Sequence, residues 1–474
     1  MFINKVQIRN FRLFGQQDEF EVHLKVPDGI TPGRGLNAFV GENGCGKTAL
    51  LDAIALPLVS YKADNFSLQD INDPTCNVDI KVLSEKPFTV SGTMPKGSFE
   101  SKGILFKANV RARESKAYLS SIIVSDQLFI RVDPNKPKDN SPDLRLNVNN
   151  PFKGRRFDEN DVLILDKSRT YQTRLGTFSP TRFDRLMEDF DFQYLKGNDP
   201  VPDIHLLLTG ARDKAENTFL KEAVAKFKEM SGQEISLNLI DNWRPFSKSF
   251  LGVQKGNNQQ IPLSMIGSGY EMIFSLLLGF YLSRQSGKQL ICLIDEPELH
   301  LHPSVQERFV EILIEFAKEA QIILTTHSPL FVKQLMANDT VTVQVLDKDG
   351  DIPHIIPLST GALPYLSSNE VNYLAFKLAT VEYHDELYGH IQEIQEKYGE
   401  AEMITYLNSN GQANTKQWNP EREGQLQGAK NVPLQVFIRN KTHHPENRAM
   451  QSKGFSQSEL KHSIDAMIDI IRSF

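Results

Sequence analysis

The spacing of apolar and polar residues changes several times along the chain, and each change marks an element. Residues 2–14 alternate, with Ile3, Val6, Ile8, Phe11 and Leu13 on the apolar side, and predict a half-buried strand. Residues 20–24 repeat the pattern and predict its antiparallel partner. A Pro- and Gly-rich loop, 27–35, leads into Leu36-Asn37-Ala38-Phe39-Val40, a run apolar enough for a strand buried on both faces. Residues 49–56 then shift to helical spacing. Short alternating runs at 78–82, 103–106 and 128–132 predict antiparallel strands of an accessory sheet. Residues 133–160, dense in Pro, Asn, Asp and Lys, predict an exposed loop.

The second half of the chain changes period in the same manner. Residues 162–165 predict a buried strand returning to the core, and 180–195 and 204–230 predict helices. The second helix would pack through Leu207, Ala211, Ala215, Phe219, Ala223 and Phe227. No sustained heptad runs through this region, so no long coiled-coil arm is expected. The apolar run 272–282 is too short to span a bilayer. Residues 290–294 and 321–324 predict two further buried strands. Asp349-Gly350 between two alternating runs predicts a hairpin turn rather than a metal loop or an Asp-x-Asp nuclease pair. Beyond 360 the chain predicts helices at 369–379, 382–398, 433–443 and 457–474, the last with a capping box of Ser456 and Glu459. The expected fold class is α/β over residues 1–357, with an accessory insert at about 75–245, followed by a small α-helical domain over 358–474.

Composition narrows the picture only a little. The 474 residues are 40% hydrophobic and 24% charged with a net charge of −6, which disfavours a globally basic nucleic-acid binder but leaves room for a local patch. Cys45, Cys76 and Cys292 lack any pairing or metal spacing and suit a reducing cytosol. The alternating start is unlike a signal peptide. A cytoplasmic protein with no membrane partner is expected.

Gly41-Glu42-Asn43-Gly44-Cys45-Gly46-Lys47-Thr48 meets every fixed position of the phosphate-cradling pattern G-x-x-x-x-G-K-[ST], between a predicted strand and a predicted helix. Glycine lets backbone N–H groups approach a phosphate, and the helix start adds donors and a positive dipole end. The eight residues and Ala49 are thus candidate ATP contacts, with Lys47 on the β- and γ-phosphates and Thr48 on Mg²⁺. Downstream, the apolar run 290–294 ends in Asp295-Glu296. Asp295 would orient the Mg²⁺ shell, and Glu296 would act as general base on the attacking water.

Ile8-Arg9-Asn10-Phe11-Arg12 followed by this loop resembles the opening of RecF/SMC-like ABC-type ATPases. The resemblance implies three further elements. Gln69 would sense Mg²⁺ and the water. Gly267-Ser268-Gly269 stands where such proteins carry a signature turn, which acts on the ATP held by a second copy, although the wording departs from the usual LSGGQ. His327, in Thr325-Thr326-His327-Ser328-Pro329, would be a catalytic switch histidine reporting the γ-phosphate. His300 and His302 lie where the family places a subunit-contacting loop. The Thr-Thr-His-Ser-Pro wording and the short insert are most similar to OLD-family and Septu-type ATPases of anti-phage defence.

Near the C-terminus, Arg439-Asn440 and His444 resemble the R-N-x-x-x-H motif of HEPN ribonucleases, with Glu386 or Glu382 as an assisting acid. A bland alternative is a helix end whose basic residues serve the dipole or a partner. The expectation is an ATP- and Mg²⁺-dependent switch that pairs as a homodimer or higher homo-oligomer and gates a nuclease or toxin partner. The alternatives are a self-contained, tRNA-targeting HEPN-like ribonuclease acting on RNA, and a RecF-like ATPase binding DNA ends.

Overall fold

The structure is a computed structural model. It describes residues 1–16, 19–59, 66, 68–93, 96–109, 111–112, 118–122, 127–131, 144–145, 155–157, 160–165, 218–238, 250–255, 259–262, 268–285, 287–350, 352–358, 361–422 and 425–473. The chain divides into two compact units, Met1–Pro357 and Leu358–Phe474.

The first unit is built on a six-stranded sheet in the order Asn160–Leu165, Gln289–Asp295, Gln321–Thr325, Leu36–Val40, Thr342–Asp349 and Ile352–Pro357. The first five strands are parallel and the last is antiparallel. The three inner strands of the parallel group bear the apolar runs, and Leu36–Val40 and Gln321–Thr325 are buried at every position, as strands covered on both faces must be. Thr342–Asp349 and Ile352–Pro357 form a hairpin in which Gly350 takes φ +62°, the left-handed region that such two-residue turns require.

A second, mostly antiparallel sheet runs Phe20–His23, Lys5–Arg9, Val78–Thr93, Lys96–Asn109, Tyr118–Ile122 and Gln127–Arg131, with Arg155–Phe157 added along Val78–Thr93. Val6 pairs with Val22 and Ile8 with Phe20, so the alternating start sits in register with its expected partner. Two strands are much longer than the patterns suggest. Val78–Thr93 and Lys96–Asn109 pair on both sides of an irregularity between Leu83 and Phe88. Pro87 falls in that gap, where its missing N–H breaks the ladder at least cost. Arg155–Phe157 and Leu144–Arg145 are strands inside the stretch expected to be loop; two or three residues are too few to show a period.

The helix Lys47–Ala55 packs against both sheets. Leu50 and Ile54 join one core with Ile8, Ile80 and Phe106 of the antiparallel sheet and Phe39, Leu293 and Ile323 of the parallel one. Of the predicted helix 204–230, Thr218–Ser231 is described, and Phe219, Ala223 and Phe227 are buried on one face. Residues 180–195 and 204–217 lie outside the described residues, as does most of 133–160. Ser268–Gln285 is an apolar helix, buried at every position from Met272 to Phe280. Among the described residues no helix is long and apolar enough to cross a membrane.

The second unit has five helices among its described residues: Ser368–Phe376, Val381–Ile394, Glu400–Ser409, Leu434–His443 and Gln457–Arg472. Short antiparallel pairs, Lys416–Trp418 with Lys430–Val432 and Glu421–Arg422 with Gln425–Leu426, interrupt them. The capping box closes as expected: Ser456 N donates to Glu459 Oε2 at 2.9 Å, and Glu459 N to Ser456 Oγ at 3.2 Å. Glu400–Ser409 has no counterpart in the sequence reading, because only Met403 and Leu407 of its ten residues are buried apolar groups. The unit's own core gathers Tyr383, Leu387, Ile391, Leu407, Phe437 and Ile464.

Candidate functional site

The glycine loop joins the buried strand Leu36–Val40 to the helix Lys47–Ala55. Gly41 holds φ +144°, and a Cβ there would lie 2.2 Å from the Leu346 carbonyl oxygen. No other residue fits without moving the neighbouring strand. Gly46 takes φ +109° at the helix start, where a side chain would be strained. Glu42, Asn43 and Gly44 are exposed along the crest, whereas Cys45, Lys47 and Ala49 are buried. The Lys47 ammonium donates to the carbonyls of Gly41 at 2.8 Å and Glu42 at 2.7 Å, and sits 3.4 Å from Cys45 Sγ. Burial pushes its pKa down, opposed by Cys45, Glu296 and Asp295.

Three parallel strands end side by side at this loop. Thr48 Oγ1 donates to Asp295 Oδ2 at 3.0 Å, although the two residues are 247 apart in sequence. Asp295, the last residue of Gln289–Asp295, also accepts from Thr325 Oγ1 at 2.5 Å. Glu296 follows with φ 47° and ψ 62°, a left-handed conformation that costs an L residue roughly 1–2 kcal/mol. Pro297 comes next and further disfavours it. The turn is held by Glu296 N donating to the Thr325 carbonyl at 3.1 Å and lying 3.2 Å from its hydroxyl. His327 Nε2 stands 3.2 Å from Glu296 Oε1. The His327 N–H donates to Glu298 Oε1 at 2.7 Å. Immediately afterwards Ser328 caps the helix Pro329–Met336.

Lys47, Thr48, Asp295, Glu296 and His327 are thus brought together. The other candidates fall differently. Gln69 lies exposed in the short turn Leu68–Asp70, and no hydrogen bond found among the described residues ties it to Thr48 or Asp295. Its neighbour Asp70 binds Arg12 Nε at 2.8 Å, while Arg12 Nη1 reaches Asp52 Oδ2 at 2.7 Å. Gly267 lies outside the described residues, and Ser268 and Gly269 open the helix Ser268–Gln285. His302 Nδ1 caps the helix Pro303–Phe316, and among the described residues no group of three His, Cys, Asp or Glu could hold a metal ion. Sequence reasoning missed Thr325 and Glu298 as parts of this arrangement. The second Glu of Asp295-Glu296-Pro297-Glu298 was the available signal for one of them.

In the second unit the ribonuclease-like residues each take a partner of their own. The Arg439 guanidinium lies 4.9 Å from the centre of the Tyr388 ring. His444 pairs with Glu446 at 3.2 Å and faces Trp418. Glu386 accepts from Asn369 Nδ2 at 2.8 Å and from the Ser367 hydroxyl. His443, four residues after Arg439 on the same helix, lies 3.0 Å from Asp385 Oδ2, and the buried His384 stands beside the same Asp385 at 3.6 Å.

The profile of the family described as "AAA domain, putative AbiEii toxin, Type IV TA system" matches residues 36–333, more than half of the chain. The OLD nuclease of Thermus scotoductus is 25% identical over 368 residues, which is 74% of this chain and 62% of that protein. A Septu protein PtuA of Bacillus mycoides is 23% identical over 376 residues, 76% of this chain and 43% of that protein. The chain therefore spans less than two thirds of the length of either relative. Among solved structures, an Smc head bound to the C-winged helix domain of ScpA aligns with 76% of this chain and 98% of its own, at 14% identity and a TM-score of 0.44, a likeness too distant to bear on function.

Proposed function

Since the chain belongs to the AAA-domain family described as putative AbiEii toxin, Type IV TA system, we propose that it is an ATP-hydrolysing switch of a prokaryotic anti-phage system, gating a nuclease or toxin effector. The observation that carries this reading is the convergence of Thr48, Asp295, Glu296 and His327 beside a glycine cradle that a Cβ would fill. The donor set suits a nucleotide with Mg²⁺: a hydroxyl and a carboxylate 3.0 Å apart, next to a buried ammonium. Thr48 and Asp295 would hold Mg²⁺, which when bound neutralises charge on the β- and γ-phosphates.

Lys47 exchanges its bonds to loop carbonyls for phosphate oxygens. Glu296 takes the proton of a water as that water's oxygen bonds to the γ-phosphorus and the bond to the bridging oxygen of ADP breaks. His327, against Glu296, registers whether the γ-phosphate is present. Ser268 and Gly269, with Gly267, act on the ATP of a second copy, so the working form is a homodimer of heads or a larger homo-oligomer. The OLD nuclease and Septu relatives support the defence setting, and the unpaired cysteines Cys45 and Cys292 support a reducing, cytoplasmic one.

The test is Glu296→Gln, which keeps shape and removes the base. Hydrolysis should fall by about 100-fold or more, with ATP retained and dimers accumulating on size-exclusion chromatography. Unchanged turnover would overturn the assignment. A ribonuclease built on Arg439 and His444 is the second reading, and it rests on the R-N-x-x-x-H spacing alone. The net charge of −6 weighs against DNA-end binding.

A further inference from the structure

Glu298 has no part in the chemistry just described, yet it is placed to control it. It sits in the short turn Pro297–His300 directly after the strained Glu296, and only 9% of its surface is exposed. Its carboxylate reaches across to the next strand end and accepts the main-chain N–H of His327 at 2.7 Å, a short, charge-assisted bond. Burial pushes its pKa up, against the bond to His327, and the nearby Glu296 adds to the rise. Burying an acid beside another acid is costly, and packing alone would be served better by a neutral side chain.

The position of that bond gives it a consequence. His327 lies in the turn between the strand Gln321–Thr325 and the helix Pro329–Met336. Its ring meets Glu296 while its backbone meets Glu298, so one turn carries both the base and the clamp on the base's partner. Glu296 N is tied back to Thr325 in the opposite direction. The two strand ends are therefore laced both ways, and cutting the Glu298 strap removes a tie on the His327 backbone at a distance from the Lys47–Thr48–Asp295 group. We propose that Glu298 is a positioning residue for ATP hydrolysis, holding the His327 turn at the distance from Glu296 that turnover needs. The proposal rests on the ATPase reading above.

Steady-state ATPase assays of the full chain, with Mg·ATP varied, decide it. Glu298→Ala should lower kcat by about 100-fold, the scale expected for a displaced catalytic group, while KM stays within about threefold because the glycine loop, Lys47 and Thr48, which carry most of the nucleotide contact, are not altered. Glu298→Asp, too short to reach His327, should behave like Glu298→Ala. Glu298→Gln keeps an acceptor of the same reach and should restore kcat to within about threefold of the parent. Circular dichroism checks folding, and if the alanine variant does not fold the aspartate variant is read instead. Parent-like kcat in Glu298→Asp, or a fall in kcat that only tracks the fraction of folded protein, overturns the proposal. A parent that does not hydrolyse ATP, or a Glu296→Gln variant that still does, overturns the ATPase reading and this one with it. An inert Glu296→Gln beside an active Glu298→Asp overturns only this one.

Discussion

Thr325 shows how one side chain serves two others. Its hydroxyl donates to Asp295 at 2.5 Å and lies 3.2 Å from Glu296 N, while its carbonyl accepts that same N–H. Removing the hydroxyl with Thr325→Val preserves shape and strand propensity. It should cost about 1.5–3 kcal/mol of stability for a bond to a charged group, measured by urea denaturation. It should also slow ATP turnover by about 10- to 100-fold, because Asp295 and Glu296 lose a common anchor. Glu296 explains why that anchor matters: at φ 47° before a proline it rests in a conformation its neighbours must enforce. Motif spacing could name Glu296 but carried no trace of its backbone angle, which follows from the packing of three strand ends.

At the scale of elements, the buried parallel strands were plain in the sequence, since a run covered on both faces must be apolar throughout. The long hairpin was not, because Pro87 interrupts its period while the pairing resumes at Phe88. Elements also depend on contacts that no period records. Gly35, just before Leu36–Val40, accepts from Ile322 N and donates to the Ala317 carbonyl. A Cβ there would lie 2.6 Å from the carbonyl oxygen of Ala320 and 2.7 Å from that of Ala317. Both are backbone atoms, so neither can swing away. Gly35→Ala should therefore destabilise the first unit by about 1–3 kcal/mol, read as a lower thermal midpoint, and by pushing the glycine-loop strand outward it should weaken ATP binding. A parent-like midpoint would mean that this end of the sheet yields more easily than its backbone contacts suggest.

At the scale of the whole molecule the chain holds two compact units. The second, Leu358–Phe474, has a core of its own and helices with their own caps at Ser367, Thr380 and Ser456. Residues 358–474 expressed alone should give a helical circular dichroism spectrum and a cooperative melt. A broad, non-cooperative melt would show that this core is not sufficient. The isolated unit carries Arg439, His444 and Glu386 together, so the ribonuclease reading can be tested on it apart from ATP.

The sequence by itself determined the glycine cradle, the buried strands and the helix caps. Each of these is a local matter, decided by backbone freedom, by burial on both faces or by a side chain reaching its own helix start. Only the tertiary structure decided which strand ends meet. It put Thr48 against Asp295, strapped His327 to Glu298, joined Arg12 to both Asp52 and Asp70, and set His443 against Asp385 of another helix. Those pairings arise from the order of strands in a sheet and the rotation of one helix against another, which depend on long-range packing that no stretch of sequence contains.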